Sequence, residues 1–143
     1  VLHGGLEHHE RDRVMDEFRA GRTKVLITTN ALARGVDVPA VAVVVNYDLP
    51  VQRMPNGTMV ADEATYLHRI GRCGRFGRRG TAINFLKTQQ DEQIMIAIER
   101  HYSPEYRMTT EWDATDIEGL SDAIKNRPAG GEIAPEAQRG TAP

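Results

Sequence analysis

The chain has 143 residues, 40% of them apolar, which is enough for one ordinary hydrophobic core and excludes a disordered protein. Its single cysteine excludes an internal disulfide and a zinc site built on paired cysteines, so a reducing, intracellular compartment is expected. The formal net charge is −2, no apolar run approaches the roughly 18 residues of a membrane span, and a soluble protein of the cytoplasm or nucleus is predicted.

The first predicted helix covers residues 7–20. Val14 and Phe18 are four positions apart, Met15 lies beside them, and the segment is otherwise mostly charged. This spacing places the apolar side chains on one face of an amphipathic helix. Gly21 follows, and glycine is the residue type that most readily adopts the left-handed conformation that ends a helix.

Four short apolar runs are predicted to be strands: residues 1–2, 24–27, 41–46 and 81–86. The runs at 24–27 and 41–46 are apolar at nearly every position rather than at alternate positions. Strands that are apolar on both faces are typical of a parallel sheet covered by helices. Because helical and strand patterns alternate along the chain, the fold class is predicted to be α/β.

Residues 50–62 contain two prolines and no periodicity, so they are predicted to be a loop, longer than most strand-to-helix connections. Asp62 is expected to cap the helix that follows, since its carboxylate can accept from a backbone N–H of the first turn. Tyr66, Leu67 and Ile70 are expected to face inward from this helix.

The last third of the chain is predicted to begin with a helix at residues 89–102, followed by an extended stretch at 106–110 and a core residue, Trp112. Residues 117–124 carry apolar side chains at helical spacing and predict a final helix. Residues 127–143 are rich in Pro, Gly and Ala, and are predicted to be a disordered tail.

Residues 68–80 contain five arginines and four glycines, and no acidic residue lies between Ala64 and Leu86. The whole chain has 18 basic and 20 acidic residues, so this segment is a cationic region of an otherwise acidic protein. Guanidinium groups bind phosphate through two parallel hydrogen bonds. The segment therefore predicts an anion site, and by itself it also fits an RNA-binding surface without catalysis.

A second candidate segment, residues 28–39, directly follows an apolar run, where open α/β sheets place their ligand loops. Its small residues, Gly35 among them, allow the backbone to approach a phosphate or a sugar, and Asp37 can accept from ribose hydroxyls. A turn in which Asp37 only caps the backbone explains the same residues.

Together the two segments resemble motifs V and VI of the DEAD-box RNA helicases. Residues 33–37 read ARGVD and residues 68–75 read HRIGRCGR, in the family's order and with strands between them. Residues 3–5, HGG, followed by Arg11 resemble motif IVa. The sequence NYDLP at residues 46–50 is a further hallmark of the family.

Within this family the chain looks most like the mRNA-export branch, because of Thr28-Thr29-Asn30, the lengthened loop before Tyr66, and residues 76–80, FGRRG. The resemblance implies a RecA-like parallel sheet sandwiched by helices, at residues 1–126. It also implies that this C-terminal helicase domain is partial and N-terminally truncated, since the family's second domain begins with a further strand and helix.

The resemblance assigns roles at an ATP site. Arg72 and Arg75 would be catalytic, contacting the γ-phosphate as arginine fingers. Asp37 would bind the ATP ribose, and Gly35 would let the backbone approach the nucleotide. His68 would lie on the nucleotide side of the interface with the other RecA-like domain, although a histidine bonded within its own helix is an equal alternative.

The resemblance also implies a sequence-independent grip on single-stranded RNA. Gly4, Arg11 and Thr29 would bind consecutive phosphates and riboses. His8 and His9 are interpreted as a solvated helix face, because neither has a metal-ligand partner four residues later. Cys73 stands where the family usually has threonine and is interpreted as a small packed residue.

The sequence contains neither a GxxxxGK[ST] phosphate loop nor an Asp-Glu-Ala-Asp stretch. In the family these belong to the N-terminal RecA-like domain, which would be the partner of this chain and would hold Mg²⁺. No metal ligand is assigned here. By itself the chain is expected to hydrolyse no ATP, since arginines cannot position Mg²⁺ or the attacking water.

The mRNA-export branch further implies an activator protein bound through inositol hexakisphosphate, at the cytoplasmic face of the nuclear pore. In that branch the phosphate is held by a lysine-rich final helix, whereas this chain offers only Lys125, with Arg127 just beyond. Two other functions are kept as alternatives, a stand-alone RNA-binding module and a DNA-directed superfamily 2 helicase. Residues 68–72 and 46–50 resemble those of RNA helicases, which weighs against a DNA-directed helicase.

Overall fold

The computed structural model describes residues 1–30, 41–73, 80–102 and 115–126. The chain divides into two compact units, Val1–His101 and Tyr102–Pro143. The helices and strands of the described residues are, in order, α1 (His8–Arg19), β1 (Val43–Asn46), β2 (Val51–Arg53), β3 (Met59–Ala61), α2 (Glu63–Ile70), β4 (Thr81–Asn84), α3 (Gln89–Tyr102) and α4 (Ile117–Asn126).

The parallel pairing predicted from the apolar runs is present between β1 and β4. The two strands pair in register from Val43 opposite Thr81 to Asn46 opposite Asn84. The second strand is shorter than predicted, because Phe85 and Leu86 follow it as exposed residues rather than as part of the ladder. Both strands therefore end on an asparagine.

The predicted strand at residues 24–27 is not formed. Val25 and Ile27 are 76% and 61% exposed, and this part of the described chain pairs only through an isolated parallel bridge between Leu2 and Thr28. The expectation that 24–27 and 41–46 are buried on both faces is also wrong, because Val45 is 51% exposed. A single bridge orders little backbone, since a ladder gains stability from successive pairs.

Helix α1 confirms the predicted amphipathic helix. The Glu7 backbone N–H donates to the Glu10 carboxylate at 3.2 Å, which satisfies a donor ahead of the first turn. Met15 is buried against Leu2, and together they form a small apolar core. Gly21, two residues after the last residue of the helix, has a left-handed φ of +70°, as predicted.

The segment predicted to be a plain loop contains a β-hairpin. Strands β2 and β3 are antiparallel, with Val51 opposite Ala61 and Arg53 opposite Met59. The turn between them uses Gly57 at φ +83°. Each strand has only three residues, so the pattern is too short for a period-two signal in the sequence.

Asp62 caps α2, as predicted, because its carboxylate accepts from the Thr65 backbone N–H at 2.9 Å. Tyr66 is fully buried and Ile70 is half-buried. The prediction for Leu67 is wrong, since its side chain is 39% exposed. Thr65 is buried instead, where it supports the cap through a hydroxyl bond to Asp62 at 2.7 Å.

The predicted helix at residues 89–102 is confirmed by α3, which buries Ile94, Met95 and Ile98 on one face. The predicted final helix is confirmed by α4. The expected extended stretch at 106–110, Trp112 and the expected tail at 127–143 lie outside the described residues. In the part of the chain that the structure describes, no helix is both long and apolar enough to span a membrane.

Candidate functional site

The three residues predicted to bind RNA lie on neighbouring pieces of backbone. The Arg11 guanidinium donates to the carbonyl of Gly4 at 3.0 Å and to that of Leu6 at 2.9 Å. This side chain of α1 thus holds the residues before the helix in place. The Thr29 backbone N–H donates to the carbonyl of Leu2 at 3.3 Å. Gly4 and Thr29 are exposed and Arg11 is half-buried.

Among the residues of the cationic segment that the structure describes, Arg69 makes the most side-chain hydrogen bonds. Its Nη1 donates to Asn46 Oδ1 at 2.9 Å and to the Asp48 carbonyl at 2.7 Å. Its Nε donates to Asn30 Oδ1 at 3.1 Å, and Nη2 donates to the same oxygen. One guanidinium thus joins α2, the end of β1 and the residue that follows Thr29.

A chain of side-chain hydrogen bonds continues from Arg69 towards the interior. Asn46, only 2% exposed, donates through Nδ2 to Asn84 Oδ1 at 2.8 Å. Asn84 donates in turn through Nδ2 to the Tyr66 hydroxyl oxygen at 3.0 Å. The network closes on α2, because Tyr66 and Arg69 belong to the same helix. A hydrogen-bonded network with two buried members, Asn46 and Tyr66, favours one arrangement of the strands and the helix around it.

Burial has opposite effects on the two ionisable members of this network. It lowers the pKa of Arg69, because removing a guanidinium from water disfavours its charged form, while the charges of Asp48 and Asp62 act in the opposite direction. It raises the pKa of Tyr66, because a buried phenol resists ionisation, although the bond from Asn84 partly offsets this. Arginine remains charged under these conditions.

His68 and Arg72 lie on either side of Arg69 along the chain, and the structure describes both. His68 is exposed near the end of α2, and Arg72 is half-buried just beyond it. The Arg72 carbonyl accepts from the Val41 N–H at 3.0 Å, and Cys73 forms a parallel bridge with Val41. The chain just after α2 therefore pairs with Val41, two residues ahead of β1.

Cys73 is half-buried, as expected of a packed residue, and its thiol donates to the Thr81 carbonyl at 3.3 Å. Burial raises the pKa of this thiol. His8 and His9 are exposed on α1, as expected, and each faces a carboxylate, of Asp12 and Glu7 respectively.

Gly35, Asp37 and Arg75 lie outside the described residues, so their roles remain predictions. Among the residues that the structure describes, no group of three or more His, Cys, Asp or Glu side chains is placed to hold a metal ion. A cavity of about 540 Å³ between the hairpin turn and α3 is lined by Met59, Gln93 and Ile94 among others, and by none of the predicted site residues.

Lys87 extends the cluster at the carboxyl ends of the strands. Its ammonium donates to Asp48 at 2.9 Å and lies 3.9 Å from the centroid of the Tyr47 ring. The hydrogen bond to Asp48 raises the pKa of Lys87. The Tyr47 ring meets Phe85 edge to face at 5.9 Å. Asp48 thus binds Arg69 through its backbone and Lys87 through its side chain.

The sequence motifs indicate no role in this network for Asn30, Asn46, Asn84 or Tyr66. A usable signal was present, because both apolar runs that became β1 and β4 end with an asparagine or pass through one. A polar residue at the end of a buried strand requires a hydrogen-bond partner. The partner itself could not be read from the sequence, since Asn46 and Asn84 are 38 positions apart.

The family described as helicase conserved C-terminal domain matches residues 1–77, more than half of the chain. The chain belongs to this family. The match spans the residues that resemble motifs IVa, V and VI, the last of which ends at Arg75.

Relatives within the family are RNA helicases. ATP-dependent RNA helicase DBP5 of Kluyveromyces lactis is 55% identical over 102 residues, covering 71% of this chain and 21% of the relative. The solved C-terminal domain of the DEAD-box protein Dbp5 is 50% identical, with a TM-score of 0.73, and the match covers 87% of this chain and 66% of that chain. These similarities confirm the RecA-like fold class and the resemblance to DEAD-box helicases of the mRNA-export branch.

Two further solved structures contain bound molecules. Saccharomyces cerevisiae Dbp5 bound to RNA and ADP–BeF₃ is 48% identical, with a TM-score of 0.75 and a coverage of 87% of this chain and 30% of that chain. The C-terminal domain of a Dbp5 variant from the same yeast, bound to a Gle1 variant and IP6, is 47% identical, with a TM-score of 0.68 and a coverage of 86% and 66%. The chain spans about a fifth to a quarter of the length of the curated relatives it matches.

Proposed function

We propose that this chain is the C-terminal motor domain of an ATP-dependent DEAD-box RNA helicase, and that it acts together with an N-terminal RecA-like domain. In this role it grips the RNA backbone and contributes arginines to ATP hydrolysis. This chain matches the helicase C-terminal domain family, and it is similar to 21% of the length of DBP5. The activity of the whole enzyme also needs a phosphate loop and a Mg²⁺ site, which the other domain would supply.

The observation that carries the proposal is the bond between Arg69 and Asn30. It joins the helix that bears His68, and that ends two residues before Arg72, to the residue next to Thr29. The predicted RNA contacts and part of the predicted ATP contacts are therefore built on one hydrogen-bonded framework. A motor domain requires this arrangement, because energy from ATP can act on RNA only if the two sites share a common structure.

The RNA side of the proposal rests on exposed backbone and one anchored arginine. Gly4 and Thr29 present exposed backbone and a hydroxyl, and Arg11 adds positive charge beside Gly4. Groups of this kind bind phosphates and riboses without reading bases. The proposed ligand is therefore single-stranded RNA of any sequence, held by its backbone.

On the ATP side, Arg72 and Arg75 are proposed to neutralise charge that develops on the transferring phosphoryl group. Asp37 and Gly35 are proposed to hold the nucleotide at its ribose and along the loop backbone. His68, which is exposed, is proposed to face the N-terminal domain across the nucleotide. The described residues offer no Mg²⁺ site, so the ion would be held by that other domain.

The test is Arg75→Lys in the full-length protein. Lysine keeps the positive charge but loses the planar fork that spans two phosphoryl oxygens. The variant is expected to lower the kcat of RNA-stimulated ATP hydrolysis, up to the roughly 10³ to 10⁵-fold that loss of an arginine finger costs, with little change in KM for ATP. Arg100→Lys, at an exposed position on α3, is the matched control and is expected to leave kcat unchanged.

The opposite pattern would identify a stand-alone RNA-binding module. In that case Arg75→Lys would weaken RNA binding, because the two parallel hydrogen bonds to a phosphate are lost. The salt dependence of RNA binding would change little, because lysine keeps the positive charge. ATP hydrolysis by the full-length protein would then be unaffected, and Arg75 would have no catalytic role.

An mRNA-export activator with inositol hexakisphosphate is proposed as a further partner, at the nuclear pore. The support is the similarity to a Dbp5 domain whose structure contains Gle1 and IP6. Lys125 is the only lysine on α4, so the phosphate is expected to bind more weakly than at a lysine-rich helix. Calorimetric titration of a Gle1-type activator, with and without IP6, measures both contributions. Absence of heat in both titrations would contradict this partner assignment.

A further inference from the structure

The β2–β3 hairpin carries backbone groups on its outer edges that its own ladder does not use. The Met54 N–H donates to the Thr58 carbonyl at 2.8 Å, so these two residues form a hydrogen-bonded pair. Hydrogen-bonded and non-hydrogen-bonded pairs alternate along an antiparallel ladder. Met59, opposite Arg53, therefore belongs to a non-hydrogen-bonded pair, and its N–H and C=O point away from β2. Neither group is hydrogen-bonded to another residue that the structure describes.

Met59 also lines the cavity of about 540 Å³ between the hairpin and α3. We call this cavity the hairpin groove. Its volume is in the range of ordinary ligand pockets. The residues that line it come from the hairpin turn and from the first half of α3: Gly57, Thr58, Met59, Gln89, Gln90, Gln93 and Ile94.

The chemistry of the hairpin groove matches a peptide backbone. Three of its lining side chains are glutamines, and each glutamine amide both donates and accepts hydrogen bonds, as a peptide group does. Met59, which is 39% exposed, and the buried Ile94 add apolar surface. None of the residues that line the groove is charged, so a charged ligand would leave water without a counter-charge.

We propose that the hairpin groove binds an uncharged, extended segment of a partner protein, which adds as a strand along β3. One residue of this segment exchanges two backbone hydrogen bonds with Met59, and alternate side chains lie against Ile94 and the glutamine amides. The pairing is short, because β3 itself has three residues. The groove contains none of the residues proposed to bind RNA or ATP, so this site does not depend on the proposed helicase function.

The first test titrates the full-length protein, isotopically labelled at its methionine nitrogens, with the capped peptide acetyl-Thr-Val-Thr-Val-Thr-amide. The amide resonance of Met59 is expected to shift. Met54 is the internal reference and is expected to shift less, because its N–H is already bonded within the hairpin. The same peptide methylated at its backbone nitrogens has lost its donors, and it is expected to leave the Met59 resonance unshifted.

A pair of proline variants tests which edge of the hairpin is used. Met59→Pro removes the outward N–H without removing a ladder bond. It is expected to raise the calorimetric Kd for the threonine–valine peptide about 3- to 10-fold, the effect of one net hydrogen bond. Arg53→Pro removes the corresponding N–H from the outer edge of β2, and this matched control is expected to keep the Kd.

Gln93→Glu tests the preference for an uncharged segment, and it remains informative even if a proline variant does not fold. Gln93 is exposed on α3, and the change places a negative charge on the wall of the groove. The variant is expected to bind acetyl-Lys-Val-Lys-Val-Lys-amide more tightly than the threonine–valine peptide, whereas the unchanged protein has the opposite preference.

Four outcomes overturn the proposal. The first is a Met59 resonance that the threonine–valine peptide does not shift. The second is an equal shift with the methylated peptide, which would exclude strand addition. In the third, the unchanged protein binds the lysine–valine peptide, or its glutamate counterpart, more tightly than the uncharged one. The last is a shift of Met59 with protein concentration alone, which would show that a second copy of the protein occupies the groove.

Discussion

Asn46 and Asn84 are paired opposite each other at the last position of the β1–β4 ladder, and the side chain of Asn46 donates to that of Asn84 at 2.8 Å. Asn84 then donates to the Tyr66 hydroxyl at 3.0 Å. The two asparagines therefore connect the end of the parallel pair to α2, the helix that carries Arg69. The integrity of the site depends on this pair, because Asn46 is also an acceptor for Arg69.

Asn84→Ala is expected to lower the free energy of unfolding by about 1 to 3 kcal/mol, the cost of leaving a buried polar group unsatisfied. The change removes the acceptor for Asn46 and the donor to Tyr66. Urea denaturation of the chain measures the difference. Gln90→Ala, at an exposed position near the start of α3, is the control, and an effect below about 0.5 kcal/mol is expected there. Equal effects at the two positions would show that the network adds nothing to stability.

Gly71→Ala is expected to disturb the end of α2. A Cβ at this position would lie 2.9 Å from the Leu67 carbonyl oxygen, a backbone atom that cannot move aside freely. Overpacking of this kind costs about 1 to 3 kcal/mol. Because Arg72 follows directly, the ATPase kcat of the full-length protein is expected to fall as well. Gly4→Ala provides the comparison, since no atom lies within 4 Å of its Cβ and stability is expected to be kept. If the two variants had the same denaturation midpoint, the expected effect of a Cβ at Gly71 would be wrong.

Tyr66 is expected to make stability depend on alkaline pH. Its pKa is raised above the ordinary value of 10.0, mainly by burial, so the folded state retains the phenol proton that the unfolded state loses. This contribution to stability is fully present below pH 10.0 and is lost as the pH rises through the raised folded pKa. Urea denaturation at increasing pH measures the loss.

Tyr66→Phe separates this effect from general alkaline unfolding. The variant is expected to be less stable at neutral pH, because the Asn84 donor loses its acceptor. It is also expected to lose less stability than the unchanged chain as the pH rises above 10.0. A decline of the same steepness in both proteins would exclude Tyr66 as the responsible group.

Features that depend on neighbours in the chain were predictable. The helices α1, α2 and α3 follow from apolar spacing, from the Asp62 cap and from Gly21, because each of these acts within a few residues. The hairpin β2–β3 was missed because its strands are too short for periodicity. The strand predicted at residues 24–27 was wrong because an apolar run becomes a strand only if a partner pairs with it.

The family could also be predicted from the sequence, because the motifs at residues 33–37 and 68–75 are recognised by the order of their residue types alone. The arrangement around Arg69 was decided by the tertiary structure. Its acceptors Asn30, Asn46 and Asp48 lie 39, 23 and 21 positions away along the chain. No local sequence pattern indicates these partners. Arg69 can bond to distant acceptors only after the strands and helices have packed and excluded water from the bonds between them.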